Sequence, residues 1–229
     1  MMPSLSTANA RPSLTTAVVL GSALLLAACA APPRVPGIYQ PENEVSERLG
    51  RSPLPEYRQG DVFRFSGGRV EQVAAVKGDE IYWKRENGRE LVRNRSFMLP
   101  TAAWETKSRR GAQRLLDSPG DMWPLAIGKL GSFRVERSLT DKASGEVRRS
   151  SRKFDCYVET AETITVEAGS FDTYRVSCRR YNSRGSRLFE TQTWHYAPAV
   201  GHYVRREIEN HSSGKRSVIE LASYKKVGS

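Results

Sequence analysis

The side chains able to do chemistry are few and scattered. The three histidines are His195, His202 and His211. None stands in a metal-ligating spacing such as H-x-H or H-E-x-x-H, so no metal site is expected. His195, in Thr193-Trp194-His195-Tyr196, and His202, in Gly201-His202-Tyr203, read as strand residues with ordinary hydrogen bonds. No G-x-S-x-G nucleophile elbow occurs. Gly128-Lys129 and Gly214-Lys215 lack the upstream glycine and the following hydroxyl of a phosphate-binding loop. Asp155, Glu159, Glu162 and Glu167 would need a cleft to bring two of them together, and solvated strand faces are the simpler reading. No catalytic and no cofactor-binding residue is assigned, and the chain is expected not to be an enzyme.

Charge is the stronger signal. The chain of 229 residues carries 36 Lys+Arg against 25 Asp+Glu, a formal net charge of +11. Basic pairs recur at Arg109-Arg110, Arg148-Arg149, Arg152-Lys153, Arg179-Arg180 and Arg205-Arg206. Tyr157, Tyr174, Tyr181, Trp194, Tyr196 and Tyr203 lie among them. Basic residues interleaved with aromatics suit single-stranded nucleic acid, anionic lipid head groups or acidic glycans alike. A solvated basic surface is the plain alternative.

The three cysteines are Cys29, Cys156 and Cys178, and an odd count in an exported chain needs a reason. Residues 12–33 carry no charge, and Arg11 stands just before them. Within them Ala17–Leu26 is a short apolar run followed by small residues, the order of a secretory signal peptide. Leu26-Ala27-Ala28-Cys29 resembles the bacterial lipobox, in which small residues let the peptidase bind an extended backbone and the cysteine sulfur receives diacylglycerol. A plain signal peptide and an uncleaved membrane span are the alternatives. Pro12, Gly21, Pro32 and Pro33 dilute the apolar content that a span of roughly 20 residues requires. Lipidation at Cys29 leaves two cysteines, which can pair. In Gram-negative lipoproteins a residue other than Asp after the cysteine, here Ala30, implies transfer to the outer membrane; the resemblance therefore implies an outer-membrane protein, lipid-anchored and facing the periplasm. An exported location argues against a nucleic-acid partner.

These residues are positioned by five segments: a signal peptide (1–28), a lipidated cysteine and proline-rich tether (29–56), a four-strand meander (57–105), a connector (106–130) and an antiparallel β domain (131–229). Six of the twelve prolines fall in the tether, where only a short helix over Glu42–Leu49, stopped by Gly50, is expected. Gly67-Gly68, Gly78-Asp79 and Asn87-Gly88 are hairpin turn signals separating strands at 61–66, 69–77, 80–86 and 89–95. Residues 100–124 read as irregular, with one helical turn near Arg110–Leu116. Beyond Gly131, period-two alternation predicts a strand through Phe133, Val135 and Leu139, then strands at 146–160, 162–167, 171–180, 187–196, 202–209 and 216–225. The fold class is all-β: antiparallel meanders forming a small N-terminal β-subdomain and a curved C-terminal sheet, half-barrel or sandwich-like.

Phe154, Cys156 and Val158 share one strand phase, and Tyr174, Val176 and Cys178 share another. Export makes a Cys156–Cys178 disulfide plausible, with two buried thiols as the alternative. Ideal pairing about Ala168-Gly169 puts Cys156 opposite a residue slightly beyond Cys178, so a bulge or a longer turn is required.

Val166-Glu167-Ala168-Gly169-Ser170-Phe171-Asp172-Thr173-Tyr174-Arg175-Val176, followed by Trp194-His195-Tyr196-Ala197-Pro198, Val200-Gly201 and Val204-Arg205-Arg206, resembles a group of bacterial periplasmic domains of unknown function. His195 interrupts their usual Trp-Tyr adjacency. The resemblance spans about residues 154–225 and implies a half-barrel sheet similar to those of lipoprotein carriers. The expected function is that of an envelope lipoprotein that binds an amphipathic ligand or an envelope protein. A basic face resting on peptidoglycan or anionic lipid is the alternative, and an enzyme of envelope polymers a weaker one. With Cys29 as the acyl acceptor, cells given labelled palmitate incorporate it into the wild-type chain and not into Cys29→Ala; label retained by the variant excludes this anchor.

Overall fold

The structure, a computed structural model, describes residues 41–228; the signal peptide, Cys29 and the first part of the tether lie outside the described residues. Twelve strands follow in sequence order: β1 Val62–Phe65, β2 Val70–Lys77, β3 Glu80–Arg85, β4 Glu90–Asn94, β5 Ala103–Glu105, β6 Arg109–Leu115, β7 Leu130–Asp141, β8 Val147–Val166, β9 Gly169–Asn182, β10 Leu188–Ala197, β11 His202–Asn210 and β12 Lys215–Lys225. Each pairs antiparallel with the next, and β1 also pairs with β12 through Val62↔Lys225, Phe63↔Tyr224 and Arg64↔Ser223. The result is a closed barrel. All-β and antiparallel are as expected.

The half-barrel or sandwich-like sheet and the separate N-terminal β-subdomain are corrected by that closure. Two features produce it. Pairing between β1 and β12 joins distant parts of the chain and leaves no local trace. The stretch read as irregular supplies β5 and β6, which join the first four strands to the last six. The helical turn expected near Arg110–Leu116 is strand β6. Gly111, a weak helix former, stands opposite Trp104; a Cβ at Gly111 would lie 2.1 Å from the indole ring, so only glycine lets that ring lie against β6.

Strand periodicity sorts side chains into two sets. The inward set includes Phe63, Phe65, Val73, Ile81, Trp83, Leu91, Phe133, Val135, Phe154, Val158, Val176 and Trp194, all buried. The 95–102 loop adds Phe97 and Met98 to this core, and the 116–129 segment adds Met122 and Leu125. Phe97 stacks on Tyr196 at 5.1 Å and meets Trp123 edge-on at 5.7 Å.

The helix at the end of the tether is present as α1, Glu44–Leu49. Asn43 caps its N-terminus, with Ser46 completing a capping box, and Gly50 takes a positive φ at its C-terminal end. Val45 and Leu49 pack on the barrel core, Arg48 makes a bidentate pair with Asp172, and the Tyr174 hydroxyl donates to the Gly50 carbonyl. Ser52 pairs with Leu125 as an isolated bridge. The described part of the expected spacer is therefore docked on the barrel.

The outward set is charged. Arg175 pairs with Glu159, Arg205 with Glu220, Arg114 with Glu136 and Arg134 with Asp117. A barrel that spans a bilayer presents an outward apolar band instead, so this barrel turns its outer face to water.

The longest hairpin carries the disulfide. From Val166↔Gly169 the register runs evenly to Thr160↔Arg175, then slips by one so that Val158 faces Val176 and Cys156 faces Cys178. Glu159 is the extra residue. This is the required bulge, and it sets the two cysteines opposite one another as a disulfide. Replacing both with Ala is expected to cost about 3 kcal/mol by loop-closure entropy, measured by urea unfolding with each protein's own slope; an unchanged unfolding free energy means that the bridge adds nothing.

Candidate functional site

Adjacent residues on a strand face opposite ways, and this splits the basic pairs. Arg180 turns inward and donates to Glu190 at 3.1 Å, whereas Arg179 turns outward over the Tyr157 ring at 5.8 Å. Arg206 turns inward over the Trp194 ring at 5.9 Å and donates to Gln192 at 2.7 Å, whereas Arg205 lies on the outer face with Glu207 and Glu220. Arg152 shares the inward phase of Val135 and lies 5.3 Å from the Phe189 ring, while Lys153 pairs with Asp155. Arg148 and Arg110 stay exposed, with Glu146 and Glu105 respectively.

A carboxylate not singled out from sequence organises the interior. Glu71, at the start of β2, is fully buried. Arg93 from β4 donates to both of its oxygens at 2.8 and 2.9 Å, Arg69 donates through Nε at 3.0 Å, and the Tyr203 hydroxyl donates at 3.0 Å. Arg85 stands 3.9 Å away. Burial alone would raise the Glu71 carboxyl, but Arg93, and Arg69 behind it, outweigh burial and hold it well below the usual carboxylate range. Its one legible signal is an acid on the same strand phase as Val73. His202 lies beside it in an aromatic cluster with Tyr57, Phe63, Trp83 and Tyr203, its Nδ1 2.8 Å from the Tyr57 hydroxyl. Burial holds the imidazole down at about 4, against the pull of Glu71. It is therefore a neutral core histidine at pH 7.

Between these groups and the 95–102 loop lies a cavity of about 250 Å³. Arg85, Arg93, Arg180 and Arg206 line it with Trp83, Trp194, Gln192 and Glu190. The Nε atoms of Arg85, Arg180 and Arg206 and the indole nitrogen of Trp83 are buried without a hydrogen-bond partner. Burial, then the nearby Arg69, lowers the Arg85 guanidinium to about 10, and burial lowers Arg206 as well. A second cavity of about 240 Å³ is lined mainly by apolar groups, among them Leu54, Leu115, Met122, Trp123 and Phe133. Asn94, Met98 and Leu99 border both cavities.

Of the other residues weighed from sequence, Cys178 lines the basic cavity and Cys156 the apolar one. His195 is buried on the outer face, its Nδ1 3.4 Å from Glu162; burial, with Arg175 and Arg205 beside it, lowers it to about 4. His211 is 2.9 Å from the Thr191 hydroxyl. Asp155 accepts from Ser132, and Glu159 pairs with Arg175, so the acidic residues of β8 serve separate outer-face pairs. Cys29 lies outside the described residues.

Acidification has a definite sign here. An unfolded imidazole titrates near ~6.5, so below that pH the unfolded chain takes up protons that buried His202 and His195 refuse until about 4. Stability is full above that window and falls within it, by about 2 kcal/mol for His202 between pH 7 and pH 5. Urea titrations at the two pH values measure this. His202→Phe should remove about half of this dependence, with His195 supplying the rest, whatever it costs at pH 7, and an unchanged dependence refutes the assignment.

No protein-family profile and no curated protein matches the chain. Among solved structures, the barrel is similar to the hypothetical lipoprotein YmcC of Escherichia coli, with 10% sequence identity and a TM-score of 0.50 over 73% of this chain and 84% of that one. An exported protein of Bacteroides fragilis, provisionally so described and with a YmcC-like fold, aligns at 14% identity and a TM-score of 0.43, over 77% of this chain and 100% of that one. A provisionally described lipoprotein of Parabacteroides distasonis aligns at 12% and 0.38, over 77% and 100%. At these identities the likeness to YmcC is one of fold.

Proposed function

We propose that this chain is a non-enzymatic lipoprotein of the outer membrane, anchored through Cys29 and facing the periplasm, whose barrel interior binds an anionic amphipathic ligand. The observation that carries the reading is the pair of adjoining cavities, one lined by four arginines and one mainly by apolar side chains. Such a pair suits a molecule with a charged head and an apolar body. Similarity of fold to a hypothetical lipoprotein accords with an envelope location.

The alternative, a basic outer face resting on peptidoglycan or anionic lipid, is less well supported. Outward arginines such as Arg175, Arg205, Arg216 and Arg134 already lie against carboxylates. Exposed pairs of this kind leave little net field for a polyanion, whereas the inward arginines exceed the carboxylates near them.

Protein extracted in nonionic detergent, exchanged exhaustively and examined by native mass spectrometry should retain about one amphipathic anion per chain, a stoichiometry set by one cavity pair. Added anionic amphiphile should quench its tryptophan fluorescence saturably, and a cationic one of equal tail length should not. A bare chain mass together with no saturable quenching refutes the proposal.

A further inference from the structure

We infer that Arg85, Arg180 and Arg206, together with the indole N–H of Trp83, form a binding site inside the barrel for a multiply charged oxyanion of the phosphate class. The groups come from three separate strands, β3, β9 and β11, and meet only at the wall of the 250 Å³ cavity. Each contributes a buried nitrogen without a hydrogen-bond partner. Buried donors are almost always satisfied, and one left over is costly. Three guanidiniums and an indole gathered on the wall of one cavity describe a receptor for acceptor oxygens.

Charge selects the class of acceptor. Arg93 is committed to Glu71 through two hydrogen bonds, and Arg69 completes that cluster. Glu190 is shared between Arg180 at 3.1 Å and Gln192 at 2.5 Å. Arg85 stands 3.9 Å from Glu71, and Arg206 donates to the neutral Gln192 carbonyl at 2.7 Å. Burial, and then repulsion from Arg69 and Arg93, act against both cations, which an entering anion would relieve. A carboxylate has one charge and matches one guanidinium fork. A phosphate has up to two charges and oxygens in a tetrahedral array, so it can accept from several forks at once. Trp194 beneath Arg206 restricts the guanidinium plane in advance of binding.

The inference deepens the amphipathic-ligand reading by naming the head-group chemistry, and it can fail independently of that reading. The detergent-solubilised full-length protein is titrated calorimetrically with inorganic phosphate, pyrophosphate, acetate, dihexanoyl phosphatidic acid and dihexanoyl phosphatidylcholine. Saturable binding of phosphate or pyrophosphate without acetate binding supports a free oxyanion site. Binding of phosphatidic acid alone supports the same chemistry presented as a lipid head group. Arg206→Gln and Arg180→Gln should each weaken the bound probe about tenfold or more, the value of a charge-assisted hydrogen bond. Arg205→Gln, on the outer face, should leave binding unchanged. Trp83→Phe gives a fourth reading from a neutral donor should an arginine variant not fold. Absence of binding by every phosphate probe overturns the site, as does equal weakening by Arg205→Gln. Fluorescence quenching by a carboxylate amphiphile with no phosphate response would keep the carrier reading and discard this one.

Discussion

Val62, Phe63 and Arg64 pair with Lys225, Tyr224 and Ser223, and every other property of the barrel follows from that seam. Without it, β1 and β12 would present two open edges and the sheet would have two faces in water. With it, one face becomes an interior. Period-two alternation then acquires a meaning it lacks in an open sheet: alternate residues go to low dielectric or to solvent. Arg205 and Arg206 are neighbours in sequence, yet one sits among carboxylates at the surface and the other over Trp194 beside the cavity.

A twelve-stranded barrel has more interior than its strands' own apolar side chains readily fill. This one fills much of it from loops, through Phe97, Met98, Met122 and Leu125. Part of the rest is occupied by charge and part is left as the two cavities. Removing a carboxylate and several guanidiniums from water costs several kcal/mol per ion even after relaxation. Glu71 offsets part of that cost through bidentate Arg93, Arg69 and Tyr203. The arrangement is therefore a compensated ionic core on one side and, on the other, a basic wall whose arginines outnumber its carboxylates. The basic wall is the feature that a core built for stability alone would lack.

The long β8–β9 hairpin shows how local geometry serves this interior. One additional residue, Glu159, shifts the register so that Cys156 meets Cys178, and past that bulge the hairpin carries on to its tip, where the Ala168 N–H donates to Leu221 on β12 at 3.1 Å. The bulged residue itself pairs with Arg175 on the outer face. The disulfide stands where the walls of both cavities pass.

Much of this was legible in the residues. Turn dipeptides placed most of the strands within a residue or two, because positive φ at Gly and Asn is a local requirement. The helix ending at Gly50 and the need for a bulge between the cysteines followed from local spacing in the same way. What the residues could not show were the non-local facts. Strand β5 was unreadable because it is only three residues long, and β6 because it is arginine-rich and interrupted by Gly111, whose purpose is the Trp104 ring across the sheet. The half-barrel expectation failed because pairing between β1 and β12 leaves no periodic mark on either strand. Glu71 was passed over, since an acid on an apolar phase is intelligible only once Arg69 and Arg93 are beside it. By itself, the sequence determined the class, most strand positions and the register problem at the cysteines, all set by backbone preferences a few residues wide. Only the tertiary structure decided that Arg180 and Arg206 face inward and their neighbours Arg179 and Arg205 outward, because inside and outside exist only after the sheet has closed.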